Sequence, residues 1–180
     1  MPSAAVELFR ATYGRDPEVV VRSPGRVNLI GEHTDYNGGF VLPAAIDLGL
    51  ELAAAVAGAG ERTTTVSREE ADAARYVEAV RRALGSSTEI DVAVASDVPV
   101  GGGLSSSAAL ELATARALAF LDRRDWDAQA MALACVRAEN EYVGNRCGMM
   151  DQLAVSLGRA GHALLIDCEA VSVRHAAIPA

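Results

Sequence analysis

The spacing of apolar and polar positions changes along the chain, and each change marks an element. Residues 4–13 (AAVELFRATY) repeat apolar side chains at helical spacing and run into Gly14, which predicts a short amphipathic helix. Residues 18–23 contain three consecutive valines and stop at Pro24, the pattern of a strand. Residues 27–30 form a second short apolar run. The stretch GEHTDYNGG (31–39) is polar and ends in Asn-Gly-Gly, a turn signature. Residues 40–47, 50–56 and 62–67 each suit a strand. Residues 71–84 return to helical spacing, with Tyr76, Val77, Val80 and Leu84 on one side, and residues 89–96 alternate as a strand does. Residues 104–121 are apolar nearly all round, which predicts a buried helix. Two more helices are expected at 126–143 and 147–158, then closing strands at 162–167 and 171–178. Strands gather early and helices late, and neither a repeat nor a low-complexity linker divides the chain. The expectation is one two-layer α+β unit.

Composition narrows the chemistry. A length of 180 residues supports one domain with a sizeable core, or one lobe of something larger. With 51% hydrophobic and 22% charged residues the chain belongs to the soluble globular class, and disorder over most of its length is excluded. The formal charge of −8 argues against non-specific nucleic-acid binding, which needs clustered positive charge. All 16 basic residues are arginine. That excludes a lysine-dependent phosphate loop, a Schiff base and a lysine general base. Cys135, Cys147 and Cys168 form no close pair, as expected of reduced, mostly buried thiols. No signal peptide is visible and charges interrupt every apolar run well before the roughly 18 residues of a membrane span. The expected compartment is the cytoplasm.

The segment PVGGGLSSSA (99–108) lies between a predicted strand and the long helix. Three glycines let the backbone curl tightly and approach a ligand. The serines that follow occupy the cap and first turn, where free N–H groups and the positive end of the helix dipole suit a phosphate. A serine-capped loop without a ligand has the same composition. The segment is neither a Walker A loop nor GxGxxG.

Three groups of acidic residues stand out. Glu139 extends the apolar stripe Ala128, Met131, Ala132 and Cys135, so its carboxylate needs a buried partner. An arginine or a metal ion would serve. Asp151 falls in a helix's first turn, either as an ordinary helix-start residue or as a fixed carboxylate facing a substrate hydroxyl. Arg26, Glu32, His33 and Asp35 crowd one short polar segment; it is a solvated loop or a set of donors and acceptors for a polyol.

These segments together resemble the galactokinases, a branch of the GHMP kinase superfamily. RVNLIGEHTDYNGGFVLPAAID (26–47) is similar to the galactokinase signature, PVGGGLSSSA to the superfamily's phosphate-binding motif, and AENEYVGNRCGMMDQ (138–152) to the stretch that carries a metal-ligand Glu and the catalytic Asp. HALLIDC (162–168) fits as well, and the resemblance runs from about residue 5 to the end. It implies a ribosomal-protein-S5-domain-2-like lobe and ATP-dependent phosphorylation of D-galactose at its C1 hydroxyl, a step of galactose metabolism. A kinase for N-acetylgalactosamine or arabinose, or a catalytically inactive sugar-binding lobe, are the alternatives.

By the same resemblance, Asp151 would face the sugar hydroxyl as base or orienting carboxylate, with Arg26 beside it neutralising the transferring phosphoryl group. Glu32, His33, Asp35 and Gly148 would hold galactose. Gly101, Gly102, Gly103, Leu104, Ser105, Ser106 and Ser107 would cradle ATP, and Ser107 with Glu139 would bind Mg2+. Two departures accompany it. Residues 1–180 match the family's N-terminal domain only, without the C-terminal domain that supplies a further glycine-rich motif and a sugar-contacting Tyr. Residues 58–75, beside the adenine pocket, are shortened.

Overall fold

The computed structural model describes residues 3–67 and 72–179. Helix α1 (Ala4–Tyr13) begins at Ser3, whose hydroxyl accepts from the Val6 N–H, and ends at Gly14 in the left-handed conformation. Strands β1 (Val19–Asn28), β2 (Phe40–Val41), β3 (Pro43–Val56) and β4 (Thr64–Ser67) follow, then α2 (Ala73–Ala83), β5 (Ile90–Ser96) and α3 (Ser106–Leu121). The chain continues through α4 (Ala128–Arg137), a π-helical turn (Ala138–Val143), α5 (Met150–Leu157), β6 (His162–Asp167) and β7 (Ser172–Ala177). Residue 71, the expected start of α2, lies outside the described residues.

Four strands form one sheet in the order β1-β3-β5-β4, antiparallel except for the β4–β5 pair. Alternation along β3 assigns its two faces. Leu50, Leu52 and Ala54 join Val92 and Val94 beneath α2 and α3, while Ala53, Ala55 and Ala93 receive Ala5 and Phe9 of α1. A smaller sheet, β2-β6-β7, packs Val41, Leu164 and Ile166 against Ala132 of α4 and Met150 and Leu153 of α5. Helix α3 is buried along almost its whole length, as its all-round apolar sequence predicts. No described helix is long and apolar enough to cross a membrane.

Three expectations need correction. Pro24 does not end the first strand; β1 runs through it to Asn28, with a register shift between Pro24 and Arg26. An edge strand tolerates the missing proline N–H, and the irregularity re-aims the residues that follow. Likewise β3 is one strand where two were expected, because Gly49 pairs across to Pro24 and its N–H reaches the Asp97 carboxylate at 2.9 Å. The helix expected at 126–143 is α-helical only to Arg137. Beyond it the Gly144 and Asn145 N–H groups both bond the Glu139 carbonyl, at 2.8 and 3.1 Å, which widens the last turn.

Candidate active site

The irregularity in β1 builds the site. Gly25 lets the glycine-serine loop come close: a Cβ there would lie 2.9 Å from the Leu104 carbonyl. That carbonyl accepts from the Arg26 N–H at 3.1 Å, and the Gly103 carbonyl accepts from Arg26 Nη1 at 2.7 Å. The rest of the guanidinium grips Asp151. Nε and Nη2 donate to Oδ1 at 2.9 and 2.6 Å, and Nη2 also donates to Oδ2 at 2.7 Å. Arg26 and Asp151 are 125 residues apart in sequence, and their side chains are 11% and 29% exposed. The pair is held firmly yet open to a ligand.

Ser105 completes this cluster in a way the sequence reading missed. It was expected among the residues that cradle ATP. Ser105 lines the cavity together with the other residues of the loop, and its hydroxyl donates to Asp151 Oδ2 at 2.5 Å and makes no capping bond to α3. The backbone at Ser105 is left-handed (φ 59°, ψ 50°), which turns the side chain away from its own helix. The N–H groups of the first turn of α3 therefore keep no side-chain cap and face a cavity of about 270 Å3 lined by Arg26, Gly101, Gly103, Ser106, Ser107 and Asp151. Uncapped N–H groups at a helix start attract an anion.

The polar loop 31–39 closes on itself. Thr34 Oγ1 lies 2.8 Å from the carbonyls of Gly31 and Phe40, a bifurcated contact that ties the loop's two ends. Glu32 accepts from the Asn28 amide at 2.9 Å, two residues along β1 from Arg26. His33 sits at φ 62° and its Nδ1 is 2.8 Å from the Tyr36 hydroxyl, while its carbonyl accepts from the Asn37 amide at 2.8 Å. Asp35 rests against Gly148, where any Cβ would overlap the Asp35 carboxylate. Gly148 lies three residues before Asp151, so the loop and the Arg26–Asp151 pair flank one region. Asn28, Tyr36 and Asn37 were not singled out from the sequence; their nearness to the EHTD run was the available signal.

Glu139 is placed differently. It is 7% exposed and turned inward. Its Oε2 accepts from Gln152 Nε2 at 2.8 Å and from the Cys147 thiol at 3.3 Å. Burial pushes its carboxyl above the ordinary range; the Cys147, Asn145 and Gln152 hydrogen bonds oppose this, and the Asp151 charge adds to it. Burial likewise pushes the Cys147 thiol up. Gln152 Nε2 also donates to Glu111 Oε2 at 3.0 Å. Glu111 is fully buried on α3, and its carboxyl is raised first by burial and then by the charge of Glu139. Neither Glu111 nor Gln152 was picked out from the sequence, although one Glu within an otherwise apolar helix was a signal.

No arginine pairs with Glu139 among the described residues. Glu111, Glu139 and Asp151 feel one another's charge, and the guanidinium bonded within this group is that of Arg26. Ser107 on the cavity wall adds a hydroxyl. Carboxylate and hydroxyl oxygens are the donors that Mg2+ takes, although Glu139 is not among the residues lining the cavity.

The chain is similar to known proteins along nearly all of its length. Residues 7–56 match the galactokinase galactose-binding signature and residues 71–159 the GHMP kinases N terminal domain. A galactokinase of Roseiflexus sp. (strain RS-1) is 43% identical over 196 residues, covering 96% of this chain and 49% of that protein. The galactokinase of Canis lupus familiaris is 40% identical, covering 93% and 49%. The crystal structure of Lactococcus lactis galactokinase complexed with galactose superposes with a TM-score of 0.83 at 27% identity, over 97% of this chain and 51% of that one. A mevalonate kinase structure shares the fold, with a TM-score of 0.70 at 17% identity over 87% of this chain and 55% of that one. The chain spans about half the length of the curated relatives it matches. Two family models placed end to end, with galactokinases aligned along nearly all of the sequence, make this chain a member of the galactokinase family of GHMP kinases.

Proposed function

We propose that residues 1–180 are the N-terminal, substrate- and ATP-binding domain of an enzyme that transfers the γ-phosphoryl group of ATP to the C1 hydroxyl of D-galactose, yielding α-D-galactose 1-phosphate and ADP. A C-terminal GHMP domain completes that enzyme. The observation that carries the reading is the Arg26–Asp151–Ser105 cluster on the wall of the cavity at the uncapped start of α3.

Each group has a task. Glu32, His33 and Asp35 present two carboxylates and an imidazole to the sugar hydroxyls, with Gly148 leaving room for Asp35. The N–H groups of the glycine-serine loop bind the triphosphate in place of a lysine. Asp151 already accepts four hydrogen bonds, about the capacity of a carboxylate. A sugar hydroxyl can donate to it only when one donor leaves, and Ser105 is the uncharged, freely rotating one. Asp151 then orients the hydroxyl and takes its proton as the phosphoryl group arrives. Arg26 stays bidentate and neutralises charge at the reacting centre. Ser107 and Glu139 would hold Mg2+, which when bound offsets the charge of the phosphates.

ADP release coupled to galactose, measured with MgATP on the enzyme that contains this domain, tests the reading. Asp151→Ala is expected to abolish turnover and keep part of the galactose affinity measured by calorimetry. Equal loss of both argues against the role given to Asp151, and no galactose-dependent turnover by the unaltered enzyme overturns the activity.

A further inference from the structure

We propose that Gln152 is the positioning residue for Glu139, and that Glu111 holds Gln152 in the orientation this requires. The inference rests on Glu139 being a ligand of the cation that accompanies ATP.

Gln152 occupies the first turn of α5 beside Asp151 and is fully buried. Its Nε2 donates to Glu111 on α3 and to Glu139 on the π-helical turn, at 3.0 and 2.8 Å. A primary amide nitrogen carries two hydrogens, so both are used. In this orientation the amide nitrogen, not its oxygen, faces both carboxyl groups. One buried side chain thus joins three elements and fixes which way the Glu139 carboxylate faces. The adjacent Asp151 is meanwhile bonded to Arg26 of β1 and to Ser105. The first turn of α5 sets the orienting carboxylate and the cation ligand at the same time.

Stability does not account for this arrangement. Apolar side chains of similar volume usually stabilise an interior as well as or better than buried charged groups. Here Glu111 Oε1 and Gln152 Oε1 are buried without a protein donor, a further cost. The chain also departs from α-helical geometry at Ala138–Val143, where Glu139 reaches Gln152; such π turns recur at functional sites. Groups that orient a metal ligand from behind typically change metal affinity by about 10- to 100-fold when altered.

Mn2+ titration in the presence of ATP, read by electron paramagnetic resonance on the enzyme containing this domain, tests the proposal without relying on turnover. Gln152→Met and Glu111→Ala are expected to weaken Mn2+ binding at least about 10-fold. Glu111→Gln keeps an acceptor for the Gln152 N–H and is expected to stay within about threefold of the unaltered protein. Gln152→Asn, which stays polar but falls short of Glu139, serves if Gln152→Met does not fold, and is expected to weaken binding likewise. Folded Gln152 variants that bind Mn2+ as the unaltered protein does, with only their thermal midpoint lowered, would reduce Gln152 to a structural role and overturn the proposal. Failure of the unaltered protein to bind Mn2+ with ATP would instead overturn the nucleotide-site reading itself.

Discussion

The Arg26 guanidinium meets the Asp151 carboxylate along its Nε–Nη2 edge and spends Nη1 on the Gly103 carbonyl, so one side chain ties the Asp151 carboxylate to the glycine-serine loop. A lysine cannot reproduce that fork. Arg26→Lys is expected to lower kcat about 100-fold or more, the scale of losing one preorganised charged contact at a reacting centre. Galactose affinity is expected to change far less. Steady-state kinetics by coupled ADP release checks this; a drop confined to KM would place Arg26 in sugar binding instead.

Gly148→Ala tests the proposed sugar loop without removing a side-chain functional group. The new Cβ would overlap the Asp35 carboxylate, which must swing aside. Galactose affinity is expected to fall about 10-fold, near 1.4 kcal/mol, with the fold retained because the loop can give way toward solvent. Calorimetric titration together with a melting curve separates the two effects. Unchanged affinity would remove Asp35 from the list of sugar-binding groups.

Val171 is a β-branched residue at φ 52°, a conformation that crowds its side chain. It precedes β7 in the turn after β6, and its carbonyl accepts from Gln129 Nε2 at 2.9 Å, a bond that a substitution leaves in place. Asn tolerates the left-handed region, so Val171→Asn is expected to raise stability by about 1 kcal/mol, read from urea denaturation midpoints. A lowered midpoint would show that packing of the valine outweighs its backbone strain.

Much of this site was legible in the chain because its parts are local. The three glycines, the serines after them and the EHTD run each sit within a few residues, and Asp151 does occupy a helix's first turn. Spacing did not show the pairings: the family resemblance set Arg26 beside Asp151, and nothing in the sequence joined Glu111 to Gln152. Arg26 and Asp151 are 125 residues apart and Glu111 and Gln152 are 41 apart, distances over which spacing carries no signal. Ser105 was grouped with its neighbours from Gly101 to Ser107 through the family resemblance, and a helix-start serine ordinarily caps. Only its left-handed backbone, invisible in composition, sends the hydroxyl to Asp151. Pro24 misled for a related reason: it ends a central strand but not an edge strand, and edge position is a property of the assembled sheet.

Glu111 gives the stability of the fold a pH dependence whose sign is fixed by its surroundings. Burial on α3 and the charges of Glu139 and Asp151 raise its carboxyl pKa well above the ordinary 4.5, with the Gln152 hydrogen bond opposing. The folded protein therefore holds this proton more tightly than the unfolded chain does. The stability it contributes is complete below the unfolded value and is lost as pH rises through the folded one. Glu111→Gln cannot lose a proton and keeps an acceptor for the Gln152 N–H. The difference in unfolding free energy between the two proteins is thus expected to shift in favour of Glu111→Gln as pH rises from about 5, with a slope of at most about 1.4 kcal/mol per pH unit. Glu139 is also raised and interacts with Glu111, so the difference reports the titration of the pair. Urea denaturation at a series of pH values measures it. A difference that does not vary with pH would mean that Glu111 ionises in the folded protein as readily as in the unfolded chain.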